Sequence, residues 1–207
     1  MKALNNYINM KHINTYINEK LKISNKKEPH TLFPNDKKEL QEMIKKEIKK
    51  KGVNCSLNHI DISNIESLSF VFNDANKKFN GDISEWDVSN VRDMSALFME
   101  TEFNGDISEW DVSNVVEMSW MFQDSRFNQD ISLWDVSKVR LMTEMFERSD
   151  FNQPIGKWNT SNVEEATFMF CDSNFNQDIS KWKLPKCNTT GMFNNCPIKN
   201  VYKPKLL

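Results

Sequence analysis

The chain has 207 residues, 39% of them apolar and 27% charged, and its 27 basic and 29 acidic side chains leave a formal charge of −2. That near-neutral total hides a dipolar chain: residues 1–56 carry thirteen lysines against six acidic groups, whereas acids exceed bases from Leu57 onward. No stretch reaches the apolar length of a bilayer span, and Cys55, Cys171, Cys187, Cys196, His12, His30 and His59 show neither disulfide-dense nor metal-ligand spacing.

In residues 1–34 the sequence reads as a leader and a linker. Tyr7, Ile8, Ile13, Ile17 and Leu21 fall near helical spacing, which predicts a short amphipathic helix, and Ser24 to Pro34, with Pro29 and Pro34, reads as linker. The start lacks the uninterrupted apolar run of a secretory signal, so the reading is cytoplasmic; a cell-surface or secreted location is the alternative if the chain is a fragment. Over 35–56, Asn35 or Asp36 can cap a helix running through Leu40, Met43, Ile44, Glu47 and Ile48 to Gly52. Its lysines crowd the negative end of the helix dipole, and its predicted role is a lid on the segment that begins at Leu57.

Residues 57–198 are about six copies of one unit, followed by a tail over 199–207. Phe79, Phe103, Phe127, Phe151 and Phe175 recur every 24 residues, and Trp86, Trp110, Trp134, Trp158 and Trp182 keep step with them. A fixed period of this size means stacked units, none of which can bury its apolar face alone. The clearest copies are FNGDISEWDVSNVRDMSALFMETE from Phe79 and FNGDISEWDVSNVVEMSWMFQDSR from Phe103. Ile83, Trp86 and Val88 lie between turn-prone residues and predict a strand, so that stacked copies form a parallel sheet. Ser89-Asn90 is read as an N-cap for a short helix carrying Val91, Met94, Leu97 and Phe98. The loop after it is polar and variable. The first copy, near Leu57, is divergent, and the last reaches Met192-Phe193 one residue early, as terminal copies do.

The unit resembles the repeat of the BspA-like leucine-rich-repeat surface protein family, Phe-Asn-x-Asp-Ile-Ser-x-Trp-Asp-Val-Ser-Asn-Val-x-x-Met-Ser-x-Met-Phe, from Leu57 to near Ile198. The resemblance implies an α/β repeat, a right-handed leucine-rich-repeat-like solenoid of short parallel strands and short helices behind an N-terminal helical cap. It also implies protein recognition or adhesion at a bacterial surface. Pro154, Gly156, Asn159 and Ala166 depart from the pattern. The leader looks like that of intracellular and phage-encoded relatives.

Three polar ladders bear on chemistry. Asp82, Asp106, Asp130 and Asp178 form one, and Asp87, Asp111 and Asp135 another. Either these carboxylates close tight turns on backbone N–H groups or they bridge Ca²⁺ between copies. A catalytic site instead gathers dissimilar groups in one place, so no catalytic residue and no cofactor is assigned. Asn80, Asn104, Asn128, Asn152 and Asn176 form the third ladder, read as a buried amide stack that joins successive copies. The Phe and Trp columns are read as core, because a nucleobase platform needs basic neighbours that this acidic region lacks.

Binding is sought where the copies disagree. One such column is Ala96, Trp120, Glu144 and Phe168, read as the outer edge of a helix; others are Arg92, Val116, Arg140 and Glu164, and Glu85, Glu109, Leu133 and Lys157. Trp120, Phe168 and Leu133 are candidate apolar anchors, with Glu144, Arg92 and Arg140 beside them, unless the aromatics fold onto adjacent copies. The sequence therefore reads as a non-enzymatic protein-binding scaffold. The alternatives are a bacterial surface adhesin fragment and a phage-related intracellular accessory or structural protein.

Overall fold

The computed structural model describes residues 29–72 and 76–205; the helix expected in the leader lies outside the described residues. Among the described residues there is one α-helix, α1 (Lys37–Lys51), and one three-residue 3₁₀ turn, Asn200–Tyr202. Everything between them is turns and isolated parallel bridges, with no sheet among the described residues. This overturns the expected α/β repeat with a strand and a helix in every unit. No helix among the described residues is long and apolar enough to cross a membrane.

The Asp-x-Ser pairs explain why the expected strand is absent. Asp82 Oδ1 accepts the Ser84 N–H at 3.0 Å and Asp87 Oδ1 accepts the Ser89 N–H at 3.1 Å, so two side-chain-closed turns succeed one another. The backbone bends with them: Trp86 N–H donates back to Ile83 O at 3.2 Å and Val91 N–H to Val88 O at 2.9 Å. Ile83, Trp86 and Val88 are buried at turn corners instead of along an extended run.

Apart from Leu32–Ile60 and Ser56–Asp82, the parallel bridges lie later in the unit, where a helix was expected. They run Ser67, Asp93, Glu117, Leu141, Glu165, Asn188, a ladder one residue wide. Beyond it the N–H groups alternate in destination. Met94, Ala96 and Phe98 donate to Glu117, Ser119 and Met121 of the next rung, all at 2.9 Å, while Leu97, Met99 and Thr101 donate back to Met94, Ala96 and Phe98 at 3.2, 3.3 and 3.3 Å. A helix cannot form because every fourth residue is left-handed: φ is +50° at Ala96 and +56° at Glu100, and +60° and +53° at Trp120 and Asp124. Asn90 is not a helix cap either; its amide reaches back to Ser63 O at 2.7 Å, as Asn114 does to Ser89 O at 2.8 Å.

Rungs stack in register on aromatic columns. Phe79, Phe103, Phe127, Phe151 and Phe175 lie 6.0 to 6.3 Å apart ring to ring and nearly parallel. A second column, Phe72, Phe98, Phe122, Phe146 and Phe170, interleaves with the first, each ring 4.1 to 4.7 Å from the Phe that opens the next copy. Trp86, Trp110, Trp134, Trp158 and Trp182 are buried, and each indole N–H reaches a carbonyl of the preceding rung, as Trp110 does to Ile83 and Trp134 to Ile107. Offset stacking combined with a satisfied indole makes these positions hard to exchange. The polar loop expected to be merely variable contributes a buried hydroxyl column: Thr101, Ser125, Ser149 and Ser173 each donate to the carbonyl three residues back at 2.8 to 3.0 Å.

Both ends of the stack are covered. In α1, Asp36 caps the Glu39 N–H at 2.8 Å, Glu39 reaches back to the Asn35 N–H at 2.9 Å, and Gly52 closes the helix at φ +92°. The helix buries Leu40 and Ile44 in the common core and ties itself down through Lys37 to Ser69, Gln41 to Phe70 O, and Glu47 to His59. Residues 29–32 are not a free linker, since Leu32 bridges Ile60 and Asp61 N–H donates to Leu32 O at 2.9 Å. At the other end Tyr202 O accepts the Ile179 N–H at 3.0 Å, and Lys203 lies over the Phe193 ring at 5.5 Å.

Candidate interaction surface

The regular polar positions are committed to the stack. Each ladder Asn offers its Oδ1 to the backbone N–H of its counterpart in the next rung, from Asn80 to Asn104 at 2.9 Å through Asn152 to Asn176 at 2.9 Å, and Asn176 does the same for Lys199. The expected burial is corrected: Asn80 and Asn104 are exposed and the other three half-buried. An exposed amide can do this work because the N–H it serves makes no backbone hydrogen bond among the described residues. A glutamine column missed in the sequence supports it, with Gln153 and Gln177 donating to Asn128 O and Asn152 O, both at 3.0 Å.

The aspartates of both Asp ladders accept a hydrogen bond from a serine two residues on in their own rung, as in Asp106 with Ser108 and Asp135 with Ser137. Serine contacts hold several carboxyls below their usual range, chiefly through the hydroxyl for Asp61, Asp135 and Asp178 and through the backbone N–H of Ser132 for Asp130. A carboxyl whose folded pKa lies below its unfolded value of about 3.9 stabilises the fold fully above that value and loses the contribution as pH falls through the folded pKa. Urea midpoints are therefore expected to be level from pH 7 to about 5 and to fall below about 4. Asp135→Asn should retain the turn, because Asn159 already does so in the next rung at 3.3 Å to the Ser161 N–H, while flattening the acid limb. An acid limb unchanged by that substitution would refute the assignment.

The candidate anchors do not converge. Trp120 is 37% exposed, and its indole N–H meets the Glu144 carboxylate of the next rung. Glu144 also accepts from Gln123 at 2.5 Å, and Gln123 donates to buried Glu147 at 2.5 Å. Burial, and after it the Glu147 carboxylate, pushes the Glu144 pKa up. Arg148 binds Asp124 bidentately at 2.8 and 2.7 Å and also pairs with Glu147. These residues form one cross-rung polar network at left-handed corners, and the expected helix edge does not exist. Phe168 packs down: its ring lies where a Cβ on Gly191 would be, and Gly191 has φ +65°. Arg140 is engaged bidentately with Glu164 at 2.8 and 2.7 Å, whereas Arg92 is exposed.

Leu133 belongs to a different face. It is 77% exposed in a column that otherwise carries charge: Glu85, Glu109, Leu133, Lys157 and, one rung further, Lys181. At the first two rungs the face is a groove of about 720 Å³ lined by five carboxylates, Glu85, Asp87, Asp106, Glu109 and Asp111. At the last two it is a groove of about 370 Å³ with Lys157, Lys181 and Asp178. Lys157 and Lys181 act electrostatically on Asp130 and Asp178 within the chain.

Glu147, Cys171 and Asp172 are close enough to share a metal ion. Their chemistry opposes it. Burial, then the Asp172 carboxylate, pushes the Cys171 thiol up to about 11, and Arg148 already neutralises Glu147.

No curated protein and no solved structure matches this chain significantly. One family model matches it over residues 38–150 and again over 123–203, which takes in α1 and the rungs. The chain belongs to the family described as Mycoplasma protein of unknown function, DUF285.

Proposed function

We propose that this protein is a non-enzymatic scaffold that binds another protein through the columns in which its rungs differ. The observation that carries the reading is Leu133, a large apolar side chain 77% exposed in a column where the rungs from Glu85 to Lys181 otherwise carry charge. Water gains when such a side chain is covered, and an isolated apolar anchor ringed by charge is the pattern of a small recognition surface. Trp120, partly exposed and oriented by Glu144, is a second anchor on a separate face. The regular acids support the non-enzymatic half, because they close turns in their own rungs.

The test is affinity capture with the full chain from its native cells, beside Leu133→Glu and Trp120→Glu, each checked for an unchanged urea midpoint. A protein retained by the parent and lost with either substitution is the expected result. Equal recovery by the parent and both variants would sink the reading, as would turnover of a defined substrate by the purified chain.

A further inference from the structure

We propose that the face bearing Glu85, Glu109, Leu133, Lys157 and Lys181 docks against the same face of a second copy of this chain, the two stacks running in opposite directions. The inference rests on the protein-binding reading and names the partner. Its basis is an order: acid, acid, apolar, base, base, one residue per rung at intervals of 24. Glu109, Leu133, Lys157 and Lys181 are exposed and Glu85 is half-buried.

A two-fold axis lying in the interface and crossing the stack at Leu133 reverses the order of rungs in the second copy. Glu85 then faces Lys181 and Glu109 faces Lys157, twice each by symmetry, while Leu133 meets its own copy at the centre. That is the self-complementarity an isologous dimer requires, with an apolar contact on the axis and opposite charges outside it. A parallel arrangement would place Glu against Glu and Lys against Lys, so charge selects the antiparallel one. The flanking columns divide, since Asp87 at one end faces Lys183 at the other whereas Asp82 faces Asp178. Asp130 and Asp135 flank Leu133 and oppose association near the axis, although each already accepts a serine N–H in its own rung.

Five rungs at ~4.8 Å spacing make a face only ~19 Å long, short of the ~800 Å² per partner of a standard interface. The dimer is therefore weak and in rapid exchange. Sedimentation velocity on the full chain, from low micromolar to the highest soluble concentration, is expected to show a reversible monomer–dimer equilibrium.

Two double substitutions decide the face. Glu85→Lys/Glu109→Lys makes the column basic throughout, and Lys157→Glu/Lys181→Glu makes it acidic throughout. Each alone should weaken self-association about 100-fold, and an equimolar mixture of the two should associate at least as tightly as the parent. Recovery in the mixture also shows that both variants fold. A parent that stays monomeric throughout, or a dimer indifferent to both reversals, would overturn the proposal. Neither result touches the scaffold reading, which is decided separately by loss of captured protein from Leu133→Glu and Trp120→Glu.

Discussion

Phe122→Ala should lower the unfolding free energy by about 3–5 kcal/mol, the cost of removing a large buried ring from a core that cannot collapse around the gap. Phe122 is fully buried in the middle of the stack. Its ring lies 4.2 Å from Phe127, which opens the next copy, 5.7 and 5.6 Å from Phe98 and Phe146 above and below, and 6.5 Å from Trp134. Phe122 stacks on rings of the rungs on both sides, so the loss falls on the coupling between the two halves of the stack. Urea denaturation monitored by tryptophan fluorescence should show the lowered midpoint, and the transition should broaden as the halves uncouple. A loss under about 1 kcal/mol would mean that neighbouring rings close the cavity, contrary to a rigid aromatic stack.

Gly156→Ser is the second large effect, and it runs against the repeat. Four other rungs carry serine at this position, Ser84, Ser108, Ser132 and Ser180, so the substitution restores the common residue. It should nonetheless destabilise by about 1–3 kcal/mol, as overpacking against unyielding neighbours does. A Cβ on Gly156 would overlap the backbone carbonyl oxygen of Asp178 in the next rung, and a carbonyl held within a rung cannot rotate away like a side chain. The cause lies two residues earlier. Pro154 stands where other rungs have the aspartate that accepts the serine N–H, and without that acceptor the turn settles closer to its neighbour. Adding Pro154→Asp should recover part of the loss, giving non-additive values for two positions in one turn. A neutral or stabilising Gly156→Ser would show that the approach of the two rungs is not tight.

Legibility in the sequence tracked the residues whose chemistry is local or periodic. Asp36 and Gly52 flank the helix because a capping carboxylate and a residue free to take positive φ act on their own neighbourhood. The Phe and Trp columns were visible because burial forces the same residue to recur. The misplacement of strand and helix has one origin: Val91, Met94, Leu97 and Phe98 satisfy helical spacing, but the N–H groups of Met94 and Phe98 donate 23 residues on, to Glu117 and Met121, and those of Val91 and Leu97 only three residues back. The left-handed corners gave no warning, since Ala96, Trp120, Glu144 and Phe168 hold φ of +50° to +60° without the glycine that usually marks it. The hydroxyl column at Thr101, Ser125, Ser149 and Ser173 and the Gln column at Gln129, Gln153 and Gln177 were legible in principle as residue types constant across rungs. The order of charge around Leu133 was likewise visible, but only the structure sets those five residues on one face.

Because N–H groups alternate between their own rung and the next, each rung meets only the rungs on either side, at separations near 24 residues whatever the length of the stack. Lengthening such a chain adds contacts of the same short range, so its folding speed is set by closing one loop of that size and does not slow as the topology of a globular domain of equal length would make it. Copies can thus be gained or lost as whole cassettes without relearning how to fold. A cassette inserted on one side of Leu133, however, would leave every rung intact and still spoil the balance of acid and base about it.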